Sequence, residues 1–110
     1  MRRLISAVLL LFTAGLAPAL AQSQAANGTI EGTIVDSSAA LLPGVTVVVH
    51  NVETGAQRVV VTNASGVYRA VLLPLGTYRL TAELTGFKKY ERTGITVGAG
   101  QTAVIGRAHV

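Results

Sequence analysis

His50-Asn51-Val52-Glu53 is the first place in this sequence where residue types and spacing suggest chemistry. A histidine three residues ahead of a glutamate can supply two ligands to one zinc ion. A hydrolytic zinc site also needs a third ligand, a general-base carboxylate and a walled cleft. The only other histidine is His109, beside the last residue. Alternation places His50 on a strand and Glu53 in the turn after it, so the motif reads as accidental. Nucleophilic chemistry fares no better. There is no cysteine, and a serine nucleophile needs a histidine and a third group to orient it. Ser65 reads as a turn former, and Ser37 and Ser38 as loop residues. No glycine-rich segment opens a helix that would cradle a phosphate. The expectation is a non-catalytic chain without cofactor or metal.

Recognition is the remaining kind of chemistry. A glycan site needs exposed aromatic platforms, and beyond residue 21 the aromatics are Tyr68, Tyr78, Phe87 and Tyr90, with no tryptophan. Alternation groups Tyr68 with Ala70 and Leu72, and Tyr78 with Leu80 and Leu84, so both tyrosines read as core with a polar tip. Phe87 reads as a plug at the end of the core. Tyr90, amid Lys88, Lys89, Glu91 and Arg92, reads as exposed. With the outward residues Thr77, Arg79 and Thr81 it forms the candidate ligand face. The bland reading of that row, which continues to Glu83 and Thr85, is the solvated side of a sheet. Asn27-Gly28-Thr29 and Asn63-Ala64-Ser65 match the glycosylation sequon at a frequency near chance.

The N-terminus looks like an export signal. Met1-Arg2-Arg3 is basic, Leu4 to Leu11 is apolar, and Ala19-Leu20-Ala21 places small residues where a signal peptidase reads them. Cleavage between Ala21 and Gln22 is expected, making residues 1–21 a signal peptide. The alternative is a retained anchor, but Leu4 to Leu20 is short for a span of about 20 residues and is interrupted by Thr13, Gly15 and Pro18. Removing Arg2 and Arg3 lowers the net charge from +4 to 7 − 5 = +2. The seven remaining cations are scattered, which excludes a nucleic-acid-binding stripe. Without cysteine, an exported chain of 110 − 21 = 89 residues has no disulfide and depends on its apolar core.

The elements that position these residues are strands. Residues 22–27 are small and polar and read as a flexible leader to a domain over 28–110. Gly28 to Val35 alternates Ile30, Gly32 and Ile34 against Thr29, Glu31 and Thr33. Gly44 to Asn51 carries Val45, Val47 and Val49 on one face, and an apolar Val48 on the other suggests cover on both sides. Further strands are expected at Gln57 to Thr62, Val67 to Leu72, Thr77 to Thr85, Lys88 to Val97 (broken at Gly94) and Gln101 to Val110. In the last, Ala103 and Ile105 compete with Val104, Ala108 and Val110 for the inner face. Asn63-Ala64-Ser65-Gly66 and Leu73-Pro74-Leu75-Gly76 both fit type I turns. Gly86 supplies a chain reversal before Phe87. Seven short strands at spacings of about ten residues predict an all-β, seven-stranded antiparallel β-sandwich. The first and last strands are the expected edges, available for strand addition by a partner.

Four features occur in order: Gly32 to Asp36 (GTIVD), Pro43-Gly44-Val45-Thr46-Val47, Thr62 to Tyr68 (TNASGVY), and Leu73-Pro74-Leu75-Gly76-Thr77-Tyr78 closed by Gly86-Phe87. The ordered set resembles the carboxypeptidase regulatory-like domain family, whose fold is similar to that of transthyretin (prealbumin) and starch-binding domains. The resemblance implies a non-catalytic domain of the kind that follows the signal peptide of TonB-dependent outer-membrane receptors. It marks Pro43, Gly44, Asn63, Gly66, Tyr68, Pro74, Gly76, Tyr78, Gly86 and Phe87 as signature positions. Where the family often has glycine in the loop before Pro-Gly, this chain has Ala39, a departure in that turn. Two readings follow. One is the N-terminal module of a receptor, or a fragment of one, reaching the membrane only through a downstream domain. The other is a freestanding carbohydrate-binding-like module. Either would be exported, to the periplasm and outer membrane or beyond, with a protein partner, the rest of a receptor chain or a glycan as its occupant.

Overall fold

The structure, a computed structural model, describes residues 27–110. The expected signal peptide, its cleavage residues Ala19, Ala21 and Gln22, and the leader up to residue 26 lie outside the described residues. Seven strands follow in order: β1 (Asn27–Val35), β2 (Thr46–Asn51), β3 (Gln57–Val61), β4 (Val67–Pro74), β5 (Gly76–Glu83), β6 (Tyr90–Val97) and β7 (Thr102–His109). Asn27, expected at the end of the leader, is already in β1. One sheet has the order β4-β1-β7 and the other β3-β2-β5-β6, and β3 faces β4 while β6 faces β7.

Alternation is what fills the space between the sheets. Ile30 and Ile34 of β1, Val47 and Val49 of β2, and Tyr78, Leu80 and Ala82 of β5 are all buried, with Val45 just ahead of β2. Burying each such aliphatic side chain contributes on the order of 1.5–3 kcal/mol, and this core is the main source of stability in a chain without disulfides. Val48 is half-buried rather than covered, because the outer face of β2 has no layer on it.

Two expectations about topology are corrected. The pairing is antiparallel throughout except that β1 and β7 run parallel. The chain reaches β7 from the far sheet, after β6, and enters beside β1 from the same end. In addition, β1 is not an edge: it pairs with β4 on one side and β7 on the other. A proline at Thr33 would thus break an internal ladder rather than block a docking edge. The edges are β4 and β7 of one sheet and β3 and β6 of the other.

Three of these edge strands carry one extra residue against their partner. The register slips between Gly28 and Ile30 opposite β4, between Glu31 and Thr33 opposite β7, and between Tyr78 and Leu80 opposite β6. Each extra residue lies beside one in the left-handed region: Leu72 at φ 54°, Gly106 at 75° and Gly94 at 71°. These are β-bulges, which bend and twist an edge. They also shift the inward set by one position. In β4 the buried residues are Tyr68, Ala70 and then Leu73, while Leu72, expected inside, is 68% exposed. In β7 the shift at Gly106 lets Ile105 and Ala108 both face inward and leaves Val104 exposed. The expected break at Gly94 is the β6 bulge.

The turns divide in the same way. Asn63-Ala64-Ser65-Gly66 closes as expected, with Gly66 N–H donating to Asn63 C=O at 2.9 Å. The Asn63 side-chain oxygen accepts from the N–H of Ser65 and of Val67. Leu73-Pro74-Leu75-Gly76 is not a four-residue turn. β4 runs through Pro74 and β5 starts at Gly76, and the two belong to different sheets, so this segment is the corner where the chain crosses the sandwich. At Gly76, φ is 149°, and Asn51 lies against it. Leu84 to Phe87 is closed by Phe87 N–H donating to Leu84 C=O at 3.0 Å, with Gly86 at φ 88°, the third position of a type II turn.

Candidate functional site

The zinc-like pair is split between a strand and a turn. His50 lies on β2, where its Nδ1 accepts from Gln57 Nε2 at 3.1 Å. Glu53 lies in the next turn, its N–H donating to the Asn51 side-chain oxygen at 3.0 Å. His109 is on β7, in the other sheet. Among the described residues no three His, Cys, Asp or Glu side chains come together to hold a metal ion. Ser65 and Ser38 are turn residues, as expected: Ser38 donates through N–H and hydroxyl to Asp36 at 2.8 and 2.6 Å. With the Ala40 N–H, these bonds hold the Asp36 carboxyl below the usual carboxylate range, the Ser38 hydroxyl first among them.

The candidate ligand face divides. Thr77, Arg79 and Thr81 do share the outer face of β5, and each is half-buried. Arg79 stands opposite His50, and Thr81 opposite Val48 and Glu91. Tyr90, expected to stand clear of the surface, is instead half-buried and packed on the core, because the β6 bulge turns it inward opposite Ala82. Phe87, expected as a plug, is 41% exposed. The type II turn at Gly86 carries the chain past the end of the sandwich instead of over it.

Phe87 lies on an open concavity of about 460 Å³ lined by Thr46, Glu83, Leu84, Thr85, Gly86, Phe87 and Lys89. Lys89 Nζ is 3.1 Å from Glu83 Oε1, and both side chains are exposed, so the pair is weakly held and available to hydrogen-bond a polar ligand. One aromatic face, a carboxylate, an ammonium and two threonines converge there, as they do in sites for small polar ligands. Sequence reasoning missed this site. The available signal was the glycine before Phe87, which marks a turn exposed at its tip.

The remaining signature residues are structural. Pro43 and Gly44 take the second and third positions of the turn into β2, Gly44 at φ 77°. Tyr78 donates its hydroxyl to Pro74 C=O at 2.6 Å, tying the crossover corner to β5. Tyr68 packs against Gly32, and its buried hydroxyl has no partner among the described residues.

This arrangement, two sheets around an apolar core with open turns at the ends, is that of a transthyretin-like β-sandwich. Residues 29–108 match the carboxypeptidase regulatory-like domain, and the chain belongs to that family. No curated protein matches the sequence. Solved structures show the same fold at low identity. The Bacillus anthracis TIE protein is 20% identical with a TM-score of 0.63, over 76% of this chain and 16% of that one. A Bacteroides uniformis protein assigned provisionally to carbohydrate binding is 21% identical with a TM-score of 0.56, over 72% and 39%. The 5-hydroxyisourate hydrolase of Klebsiella pneumoniae is 24% identical with a TM-score of 0.53, over 74% and 84%. The chain thus spans well under half the length of the first two.

Proposed function

We propose that this chain is a non-catalytic, exported interaction module, the N-terminal domain of a TonB-dependent outer-membrane receptor. The observation that carries the reading is family membership over residues 29–108. The basic, apolar and small-residue order of residues 1–21 supports export, and the family resemblance supports the receptor context. The hydrolase that shares the fold does not argue for catalysis, since likeness at that identity reaches the fold alone. Antibody to the domain, applied to fractionated cells of the source organism, tests the proposal. The expected result is an outer-membrane species several times heavier than 11.3 kDa whose peptides continue beyond Val110. A periplasmic species of the domain's own size would overturn the receptor reading.

A second reading is favoured by one specific observation, the exposed Phe87 over Glu83, Lys89, Thr46 and Thr85. A sugar ring stacked on Phe87 would meet those polar groups at its hydroxyls. The provisional carbohydrate-binding assignment of a structural neighbour is consistent with it. Glycan-array binding that disappears in Phe87→Ala and persists in Tyr90→Phe would establish it. Binding unaffected by Phe87→Ala would reject this site.

A further inference from the structure

The four sheet edges are not equally protected. Edge strands invite pairing with another chain, and proteins blunt them with bulges, prolines and charges. β4 has its bulge at Leu72 and ends in Pro74; β6 and β7 have theirs at Gly94 and Gly106. β3 has neither bulge nor proline, and a single charge. Its five residues Gln57-Arg58-Val59-Val60-Val61 pair with β2 without a register shift, and they include neither glycine nor proline. That charge, Arg58, is exposed on the face toward the other sheet, and its Nη1 donates to Val71 C=O of β4 at 2.8 Å.

The hydrogen bonding of β3 has a fixed phase. Thr62 N–H donates to Val45 C=O and Thr62 C=O accepts from Gly44, while at the other end Ala56 C=O accepts from Asn51 N–H. Even-numbered residues from 56 to 62 therefore direct their backbone groups at β2. By alternation Gln57, Val59 and Val61 direct N–H and C=O at the open edge. The side chains of the same three residues lie on the outer face, with Val59 58% and Val61 57% exposed and Val48 beside Val59.

From this geometry we propose that β3 pairs with β3 of a second copy, antiparallel about a twofold axis through Val59. A twofold interface brings the same strand to itself in antiparallel sense without further adjustment. With Val59 opposite its own copy, Gln57 falls opposite Val61 and Arg58 opposite Val60. All three outward residues then exchange both backbone hydrogen bonds, and no like charges stand directly opposite, the two Arg58 being diagonal neighbours. The valines at 59 and 61 of both copies, with the two Val48 side chains, form one apolar strip across the junction. The two four-stranded sheets become one eight-stranded sheet, and the pairing closes on itself rather than propagating.

The test is sedimentation equilibrium of the purified chain and of Val59→Pro. Val59 N–H points away from β2, so proline there removes no bond of the internal ladder. The expected result is a concentration-dependent dimer for the parent and a monomer with native circular dichroism for Val59→Pro. If the proline variant does not fold, Val59→Lys serves, since it sets like charges directly opposite each other in the dimer alone. Amide exchange at Gln57, Val59 and Val61 should slow with protein concentration in the parent. A parent that stays monomeric at every concentration, forms open-ended aggregates, or binds a different extended peptide at this edge while remaining monomeric would overturn the proposal. So would a folded variant that dimerises as the parent does.

Discussion

The ring of Tyr68 rests on Gly32, so closely that a Cβ at residue 32 would overlap the Tyr68 hydroxyl and stand 2.6 Å from ring carbon Cζ. The two residues face each other across the β1–β4 ladder, and Tyr68 is one of the largest fully buried side chains. Gly32 does not have a left-handed φ, so what residue 32 must supply is space. Gly32→Ala is expected to cost about 1–3 kcal/mol by overpacking, read as a fall in urea midpoint with unchanged m. In a Tyr68→Leu background the same change should cost less, because the ring atoms it strikes are gone. Equal costs in the two backgrounds would reject the contact as the cause.

The two buried phenols predict opposite responses to losing their hydroxyls. Tyr78 donates to Pro74 C=O at 2.6 Å, so Tyr78→Phe should cost about 1 kcal/mol. The Tyr68 hydroxyl is buried without a partner, so Tyr68→Phe should be neutral or stabilising by up to about 1 kcal/mol. Burial pushes the Tyr68 phenol well above its ordinary range; ionised Tyr90 would add repulsion, and Arg92 offsets part of the effect. A raised folded-state pKa means that the folded state holds this proton more tightly than the unfolded chain does. The associated stability is complete below the ordinary phenol pKa of about 10 and is lost as pH rises toward the folded value. Alkaline unfolding should therefore move to higher pH in Tyr68→Phe. An unchanged alkaline midpoint would count against this account.

Thr62 holds the entry to β2 together with one oxygen. Its Oγ1 accepts from Val45 N–H at 2.9 Å and donates to Leu42 C=O at 2.7 Å, and the residue is buried. Thr62→Val keeps the shape and leaves both backbone groups without that partner, at an expected cost of about 1–3 kcal/mol. Thr62→Ser restores the hydroxyl and should recover most of the loss. Calorimetric midpoints that rank the serine variant with the valine variant would show that the methyl group, not the hydroxyl, matters.

Legibility tracked the period of two. β1, β2 and β5 alternate without interruption on their inner faces, and their buried residues can be read directly from the sequence. β4, β6 and β7 each carry an extra residue, and there the reading slipped: Leu72 was placed inside instead of Leu73, Tyr90 outside, and β7 stayed ambiguous. Glycines at 94 and 106 were visible signals of the bulges; Leu72 gave none. The edges were misassigned for a different reason. Which strand lies in the middle of a sheet is decided by long-range pairing, and nothing local in Gly28 to Val35 reveals that β7 arrives beside it in parallel. The motif His50 to Glu53 splits between β2 and the following turn, as alternation predicts, while the concavity at Phe87 depends on how a turn leaves the sandwich, which alternation does not encode.

Two residues occupy backbone conformations that favour glycine, Ala39 at φ 68° and Leu72 at φ 54°. Left-handed backbone costs a residue with a Cβ roughly 1–2 kcal/mol, while replacing it by glycine returns part of that as greater freedom in the unfolded chain. Ala39 is exposed, in the loop that Asp36 closes by accepting from Ser38 and Ala40, and Leu72 is 68% exposed, so neither change sacrifices much burial. Ala39→Gly and Leu72→Gly should each stabilise the domain by about 0.5–1 kcal/mol. Because the two sites lie in separate segments, the double variant should gain the sum. At position 72 glycine would also give the β4 bulge the residue already used at Gly94 and Gly106. Chemical denaturation of the three variants checks this, and destabilisation by Leu72→Gly would mean that the exposed leucine side chain contributes packing that its surface position conceals.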